Sequence, residues 1–289
     1  MNVLSLFDGM SCSQIALNRA GIKYDKYYSS EIDKYSIQIT QNNYPKTIQL
    51  GDVTKIDCLQ LPKIDLLIAG SPCQGFSFCG KQLNFKDSRS VLFFEFEKIL
   101  KKIKPTYFLL ENVCMNKQSK KIITDKLQVQ PIKINSNLVS AQNRQRLYWT
   151  NIKNIKQPNN KNIKLIDIFE NKTTEKIYKP PYYKKVIGKK YIGYVGKSPK
   201  QATKVYDVYD KSVCLLSNGG GQGGKTGLYE IPNSLTCRKL TTTECEMLQN
   251  VPKDYTKGVS NTQRYKMLGN SFTVDVIVHI LKNIGEYNE

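Results

Sequence analysis

The chain is poor in histidine, in metal-type cysteine spacing and in negative charge. His279 is the one histidine in 289 residues. It stands in an apolar stretch near the C-terminus and reads as a packed or surface helix residue. A histidine-based triad and a zinc centre are thereby excluded. The eight cysteines, at 12, 58, 73, 79, 114, 214, 237 and 245, form no Cys-x2-Cys ligand pair. No run approaches the ~20 apolar residues of a membrane span. The opening Met1–Phe7 lacks a basic start and reaches Asp8 too soon for a signal peptide. The expected setting is therefore cytoplasmic, with thiols reduced. Asp and Glu number 24 against 44 Lys and Arg, a net charge of +20. That surplus favours a polyanionic partner, most simply nucleic acid. A generally lysine-rich composition would give the same total, and charge alone leaves both readings open.

What is present suffices for a sizeable core: 40% of residues are hydrophobic. Residues 1–112 alternate short apolar strands (Val3 to Phe7, Lys26 to Ser30, Thr47 to Gln49, Leu66 to Ala69, Tyr107 to Leu110) with helical segments (Ser13 to Ala20, Lys34 to Asn42, Val91 to Ile103). In the last, Leu92, Phe93, Phe96, Ile99, Leu100 and Ile103 recur at helical spacing. This is the βαβ rhythm of an α/β fold with a mostly parallel sheet and helices on both faces. Further strands are predicted near Gln130 to Ile134 and Arg146 to Thr150. Beyond Thr150 the texture changes to an Asn- and Lys-rich connector and then short β-like pieces, including Thr203 to Tyr209 and Val213 to Ser217. The glycine-rich stretch Gly219–Gly227 reads as a flexible basic loop, touching a nucleic-acid groove or simply turning at the surface; it superficially resembles a phosphate loop but is read as lacking the GxxxxGK[ST] register, and a nucleoside-triphosphate role is set aside. Helical pattern resumes at Thr241 to Leu248 and at Phe272 to Ile284.

The chemistry-bearing residues fall at the predicted strand ends. The first strand runs into Phe7-Asp8-Gly9-Met10-Ser11-Cys12 and a helix, an arrangement that cradles an anion or cofactor, although one glycine is too few for a dinucleotide fingerprint. The second ends in Glu31-Ile32-Asp33, where a carboxylate can accept both hydroxyls of a ribose. The third ends in Gly51-Asp52-Val53, where Asp52 can hold an adenine amine while Ile32 and Val53 sandwich the ring. Each acid alone is more often a turn or cap residue; three in order, one per strand tip, favour an adenosyl ligand. The fourth strand delivers Ser71-Pro72-Cys73-Gln74-Gly75. An isolated cysteine is usually a small buried hydrophobe, but Cys73 follows a stiff proline and precedes a flexible segment. Residues 74–90 could close over a bound nucleotide or form an ordinary surface loop. The fifth strand ends in Glu111-Asn112. Gln142-x-Arg144-x-Arg146 would place two guanidiniums on one face of a strand, suited to a phosphate, a carboxylate or a base edge, or simply solvated. The sole tryptophan, Trp149, reads as core.

Taken in order, Phe7-Asp8-Gly9, Glu31-Ile32-Asp33, Gly51-Asp52-Val53, Ser71-Pro72-Cys73-Gln74-Gly75-Phe76-Ser77, Glu111-Asn112-Val113, Gln142-x-Arg144-x-Arg146 and Gly269-Asn270-Ser271 resemble the cytosine-C5 DNA methyltransferase family. The local text is similar to its compact branch of phage-encoded and animal de novo enzymes. The resemblance implies transfer of a methyl group from S-adenosyl-L-methionine, leaving S-adenosyl-L-homocysteine, to C5 of a cytosine flipped from double-stranded DNA. It implies no metal. Cys73 would attack C6, Glu111 hold or protonate N3, Arg144 support the base carbonyl, and Arg146 buttress the loop or backbone. Phe7, Asp8, Gly9, Ser11, Cys12, Glu31, Ile32, Asp52, Val53, Asn270 and Ser271 would line the cofactor, with the Ser11 and Cys12 amides cradling it because this turn has few glycines. The implied organisation is a catalytic and cofactor-binding domain over 1–150, a small target-recognition lobe over 151–261, and a C-terminal segment, 262–289, returning to the catalytic domain. Within the lobe, Arg238 and Thr236 are candidate base or backbone contacts. The setting would be the cytoplasm of a prokaryotic or phage-infected cell. A transfer-RNA cytosine methyltransferase and a catalytically silent nucleic-acid-binding protein are the alternatives. The recognition sequence, a restriction-endonuclease partner and the oligomeric state stay open.

Overall fold

The computed structural model describes residues 1–71, 91–170, 173–186 and 190–285. The chain forms two compact units, one of Met1–Asn135, Gln145–Gln157 and Val276–Glu289, the other of Ser136–Arg144 and Pro158–Asp275.

In the first unit the elements run β1 (Asn2–Leu6), α1 (Cys12–Ala20), β2 (Lys26–Ser30), α2 (Lys34–Asn43), β3 (Ile48–Gln49), β4 (Leu66–Gly70), α3 (Val91–Ile103), β5 (Tyr107–Val113), α4 (Lys117–Leu127), β6 (Ile132–Asn135) and β7 (Gln145–Thr150). Their seven-stranded sheet has the order β3-β2-β1-β4-β5-β7-β6. Neighbours are parallel from β3 through to β5, while β7 runs antiparallel to both β5 and β6. The central strands are buried on both faces, as a parallel sheet covered by helices requires. Leu66, Leu67, Ile68 and Ala69 of β4 are all fully buried. Phe93, Phe96 and Ile99 of α3 pack into the same core, with Leu92, Leu100 and Ile103 partly buried around them. Each such side chain contributes about 1.5–3 kcal/mol. Trp149 is fully buried, its indole N–H donating to Thr124 Oγ1 at 3.0 Å.

The strand order positions the ligand edge. The chain moves outward from β1 to β2 and β3, then returns to β4 on the other side of β1. Ligands of open α/β sheets bind outside the carboxyl ends of the strands at such a reversal.

The second unit carries β8 (Tyr183–Lys185), β9 (Gly193–Val195), β10 (Lys204–Tyr206), β11 (Leu228–Glu230) and β12 (Cys237–Lys239) in the order β12-β11-β10-β9-β8, with only the β10–β11 pair parallel. Tyr183, Val195, Val205, Leu228 and Cys237 form its core cluster. Two helices follow, α5 (Thr242–Leu248) and α6 (Asn261–Asn270); the last described helix, α7 (Val274–Leu281), falls from Val276 on in the first unit.

Two expectations are corrected here. The segment Gly219, Gly224, Lys225, Thr226 does meet the GxxxxGK[ST] spacing, so spacing gives no ground for dismissing a phosphate loop. The structure gives one: the chain continues into β11 rather than into a helix, so the helix N-terminus that such a loop needs is missing. Its backbone is already committed, Gly223 N–H to Ala202 O and Gly227 N–H to Gly223 O, both at 2.8 Å. Arg238, expected to contact DNA, is 1% exposed. Its guanidinium forks onto Glu244 at 2.8 and 2.7 Å, donates to Glu170 O at 2.7 Å and lies 3.8 Å from the Phe169 ring centroid. Glu244 also accepts from the amides of Glu170 and Thr241, both at 2.7 Å. Thr236 shares a 2.7 Å hydroxyl contact with Ser234 inside a turn.

A buried pair loses most when one member is removed, because the other charge is stranded. Glu244→Ala is expected to destabilise the second unit by about 3–5 kcal/mol, read as a lowered urea midpoint. A loss below about 1 kcal/mol, the range of exposed pairs, would show that Arg238 finds water instead.

Candidate active site

The site residues of the first unit are built onto successive strand ends. After β1 the backbone alternates in hand: Phe7, Gly9 and Ser11 have φ of 55°, 59° and 58°, while Asp8 and Met10 do not. For Phe7 and Ser11 this conformation costs about 1–2 kcal/mol each, so the surroundings must impose it. Asp8 does so from inside. Its carboxylate is buried and accepts from Tyr27 Oη at 2.6 Å, from Ser29 Oγ at 2.9 Å and from Ser11 Oγ. Burial pushes the Asp8 carboxyl above its ordinary pKa, against the opposing pull of these hydroxyls. Burial and the neighbouring Asp8 charge raise Tyr27 well above the usual phenol value. Thr40 of α2 adds contacts to Ser11 Oγ at 3.3 Å and Gly9 O at 3.4 Å.

Glu31, following β2, pins the same turn from the other side. One oxygen accepts from Gly9 N–H at 2.8 Å; the other accepts from Ile32 N–H and Asp33 N–H, both at 2.8 Å. Asp33 itself caps α2 through Tyr35 and Ser36 amides at 3.0 and 3.2 Å. Ser11 N–H donates to Asp8 O at 3.1 Å, so the amide expected to cradle a cofactor is committed within the turn. Cys12 is buried in the first turn of α1, and Phe7 packs against the core.

At the next tips, Ile32 is 76% exposed while Val53 is 6% exposed and belongs to the core. Asp52 caps a short 3-10 turn, accepting from Thr54 N–H and Thr54 Oγ1, both at 2.9 Å. Those bonds hold its carboxyl below the ordinary range.

Between β4 and β5, Gly70 pairs with Glu111, and Asn112 Nδ2 donates to Ser71 Oγ at 2.9 Å. Cys73 lies outside the described residues, as do its neighbours from Pro72 to Ser90. Glu111 is 9% exposed and accepts from Arg146 Nε at 2.8 Å. Arg146 Nη1 also reaches Gln145 O at 2.8 Å.

The two arginines of the Gln142-x-Arg144-x-Arg146 motif have separate surroundings. β7 begins at Gln145, so Arg144 stands outside the strand and the expected shared strand face is not formed. Arg144 belongs to the second unit and is buried there. Its Nη1 donates to Leu215 O at 3.1 Å and Cys214 Sγ at 3.3 Å; its Nη2 donates to Gly269 O at 3.1 Å and Ser271 O at 2.9 Å. Gln142 Oε1 accepts from Leu215 N–H at 2.8 Å. A Cβ on Gly269 would lie 2.3 Å from the Leu216–Ser217 backbone, so only glycine fits that close approach. Ser271 Oγ donates to Leu268 O at 3.0 Å, and Asn270, closing α6, is exposed. The two motifs, more than a hundred residues apart, thus join in one knot. Sequence reasoning assigned their residues separately to base and cofactor, and no local pattern signals that they meet. Among the described residues no cluster of His, Cys, Asp or Glu could hold a metal ion, and no helix is long and apolar enough to cross a membrane.

Comparison with known proteins gives a consistent result. A family-wide sequence description, C-5 cytosine-specific DNA methylase, matches residues 1–286. The type II methyltransferase M.HhaI of Haemophilus parahaemolyticus is 30% identical over 316 residues, covering 99% of this chain and 94% of that protein. The type II methyltransferase M.NlaX of Neisseria lactamica is 31% identical over 299 residues, covering 95% and 93%. The crystal structure of the S. pombe Dnmt2 methyltransferase superposes with a TM-score of 0.74 at 18% identity, covering 98% of this chain and 97% of that one, a likeness of fold.

The Asp8 carboxyl makes a measurable prediction. Its folded pKa is raised, so between the ordinary carboxylate value of about 3.9 and the raised one the folded state keeps a proton that the unfolded chain has lost. Stability from this group therefore falls as pH rises through that window and is flat above it. Asp8→Asn removes the dependence. The variant's urea stability minus that of the natural chain should increase with pH through the window, on top of a constant offset from altered hydrogen bonds. A difference constant across pH would show that Asp8 is ionised equally in both states.

Proposed function

This chain belongs to the C-5 cytosine-specific DNA methylase family and is a DNA cytosine-C5 methyltransferase, and we propose that Cys73, following β4, is its nucleophile and Glu111, ending β5, its base-holding acid. Cytosine C5 is a poor nucleophile until C6 is saturated. A thiolate suits that task because it attacks well and also leaves well. The Cys73 sulfur bonds to C6 of an extruded cytosine; Glu111 holds or protonates N3, so the electron pair pushed into the ring is not stranded. Once C5 carries its new methyl group, loss of the C5 proton expels Cys73 and restores aromaticity.

The observation that carries this reading is the Glu111–Arg146 pair at 2.8 Å, a carboxylate at the ligand edge of the sheet held in one orientation by a guanidinium. It favours Arg146, rather than Arg144, as the arginine beside the base carbonyl. Arg144, spent on backbone carbonyls, is a positioning residue.

The donor set at the first three strand tips fits an adenosyl ligand. Ile32 keeps a large aliphatic side chain in solvent beside Glu31, an apolar surface for a purine next to an acceptor for ribose hydroxyls, with Phe7, Gly9, Asp52 and Val53 completing the edge. Asp8, Ser11 and Cys12 shape the turn from within. Asn270 offers an exposed side chain from its own motif, and Ser271 supports it. S-adenosyl-L-methionine, when bound, supplies an already activated methyl group. Double-stranded DNA is the substrate, and target recognition falls to the lobe over 151–261.

Methyl transfer from labelled S-adenosyl-L-methionine to DNA, with a transfer-RNA arm, tests the reading. Cys73→Ser should abolish DNA labelling while much of the DNA affinity stays; comparable turnover would remove the covalent step. Glu111→Gln should lower kcat far more than cofactor affinity, and equal losses would make Glu111 structural. Arg146→Ala should lower kcat by about 10²–10³, the scale of a lost positioned donor, out of proportion to its effect on Tm. Arg144→Ala should lower Tm first. The reverse pattern would return the base contact to Arg144.

A further inference from the structure

The second unit presents a surface that the proposed chemistry does not use. Strand alternation sends Tyr183, Val195 and Val205 to the core cluster. The opposite face therefore carries Lys184, Tyr194 and Lys204. The ladder aligns them as one cross-strand row, Lys184 opposite Tyr194 and Tyr194 opposite Lys204. At the other end of the sheet that face is covered, Tyr229 and Arg238 being 0% and 1% exposed. Over β8 to β10 it is open, with Lys184 exposed and Tyr194 and Lys204 half-buried. Among the described residues neither Lys184 nor Lys204 has an acid partner. Each ammonium instead stands near a ring, Lys184 6.0 Å from Tyr194 and Lys204 5.2 Å from Tyr191, contacts that order a flexible stem without neutralising it.

The composition around the row is one-sided. From Thr173 to Tyr206 the chain has nine lysines, six tyrosines and one acid, Glu175. It has no arginine or asparagine and a single glutamine. Arginine, asparagine and glutamine read base edges through bidentate bonds; lysine supplies a point charge and tyrosine a single hydroxyl, which suit phosphate oxygens. Strands lie about 4.8 Å apart, so the two lysine stems start about 10 Å apart, within reach of separate phosphates.

We propose that the Lys184–Tyr194–Lys204 row is a rail for the sugar–phosphate backbone of the DNA substrate, gripping duplex without reading its sequence. The proposal rests on the DNA methyltransferase reading. Duplex binding is measured against salt for the natural chain and for Lys184→Ala with Lys204→Ala, on a fragment that the natural enzyme methylates and on an A·T-only duplex of equal length. The slope of log affinity against log salt should become shallower by about 2 on both, near 0.9 per phosphate contact. The affinity ratio between the duplexes should not change. Lys184→Arg with Lys204→Arg should keep the natural slope, which separates charge from a folding defect. An unchanged slope in the alanine variant, or a loss confined to the methylated fragment, overturns the rail. Methylation of the fragment by the natural enzyme tests the underlying reading on its own: a failed rail with intact methylation leaves that reading standing.

Discussion

The buried carboxyl of Asp8 gathers hydroxyls from the β1–α1 turn and from β2, and Glu31 takes the Gly9 amide of the same turn from the outer side. Between them the two acids stabilise a backbone that alternates in hand at Phe7, Gly9 and Ser11. A glycine-rich turn reaches such geometry by lacking side chains. This chain reaches it with hydrogen bonds to a carboxylate that burial makes hard to ionise.

A second constraint separates two arginines that sequence places two residues apart. The start of β7 at Gln145 gives Arg146 to the ladder and to Glu111, whereas Arg144 is consumed by carbonyls of 215, 269 and 271. The chemistry of a guanidinium is common to both. What differs is whether its donors meet a carboxylate at the ligand edge or backbone oxygens inside a knot.

Much of the large sheet was legible because β4 and the first half of β5 are unbroken apolar runs, and α3 because its apolar positions recur at helical spacing. β2 and α3 have the predicted bounds. The helix α4, Lys117–Leu127, escaped because its sequence is mostly polar and its start signal is a single Asn116 cap; α6 is similarly polar. In the second unit β8, β9, β11 and β12 are three residues each, too short for alternation to register. Val213–Ser217, predicted as a strand, instead spends its backbone on Gln142, Arg144 and Lys225. Gln142 and Arg144 are distant in sequence and leave no local mark. The same holds for the Arg238–Glu244 pair: a lone arginine in a basic lobe looks like a DNA contact until its fork is seen on a buried glutamate.

The knot around Arg144 also defines what counts as a module. Ser136–Arg144 interrupts the hairpin of β6 and β7, yet its hydrogen bonds and its compact unit lie with 158–275. A chimera that grafts only the continuous stretch after β7 would leave behind the peptide that ties Leu215, Leu248 and Gly269 together. Moving this unit intact between relatives of this architecture requires two segments of the donor gene, with the nine-residue insert travelling alongside 158–275.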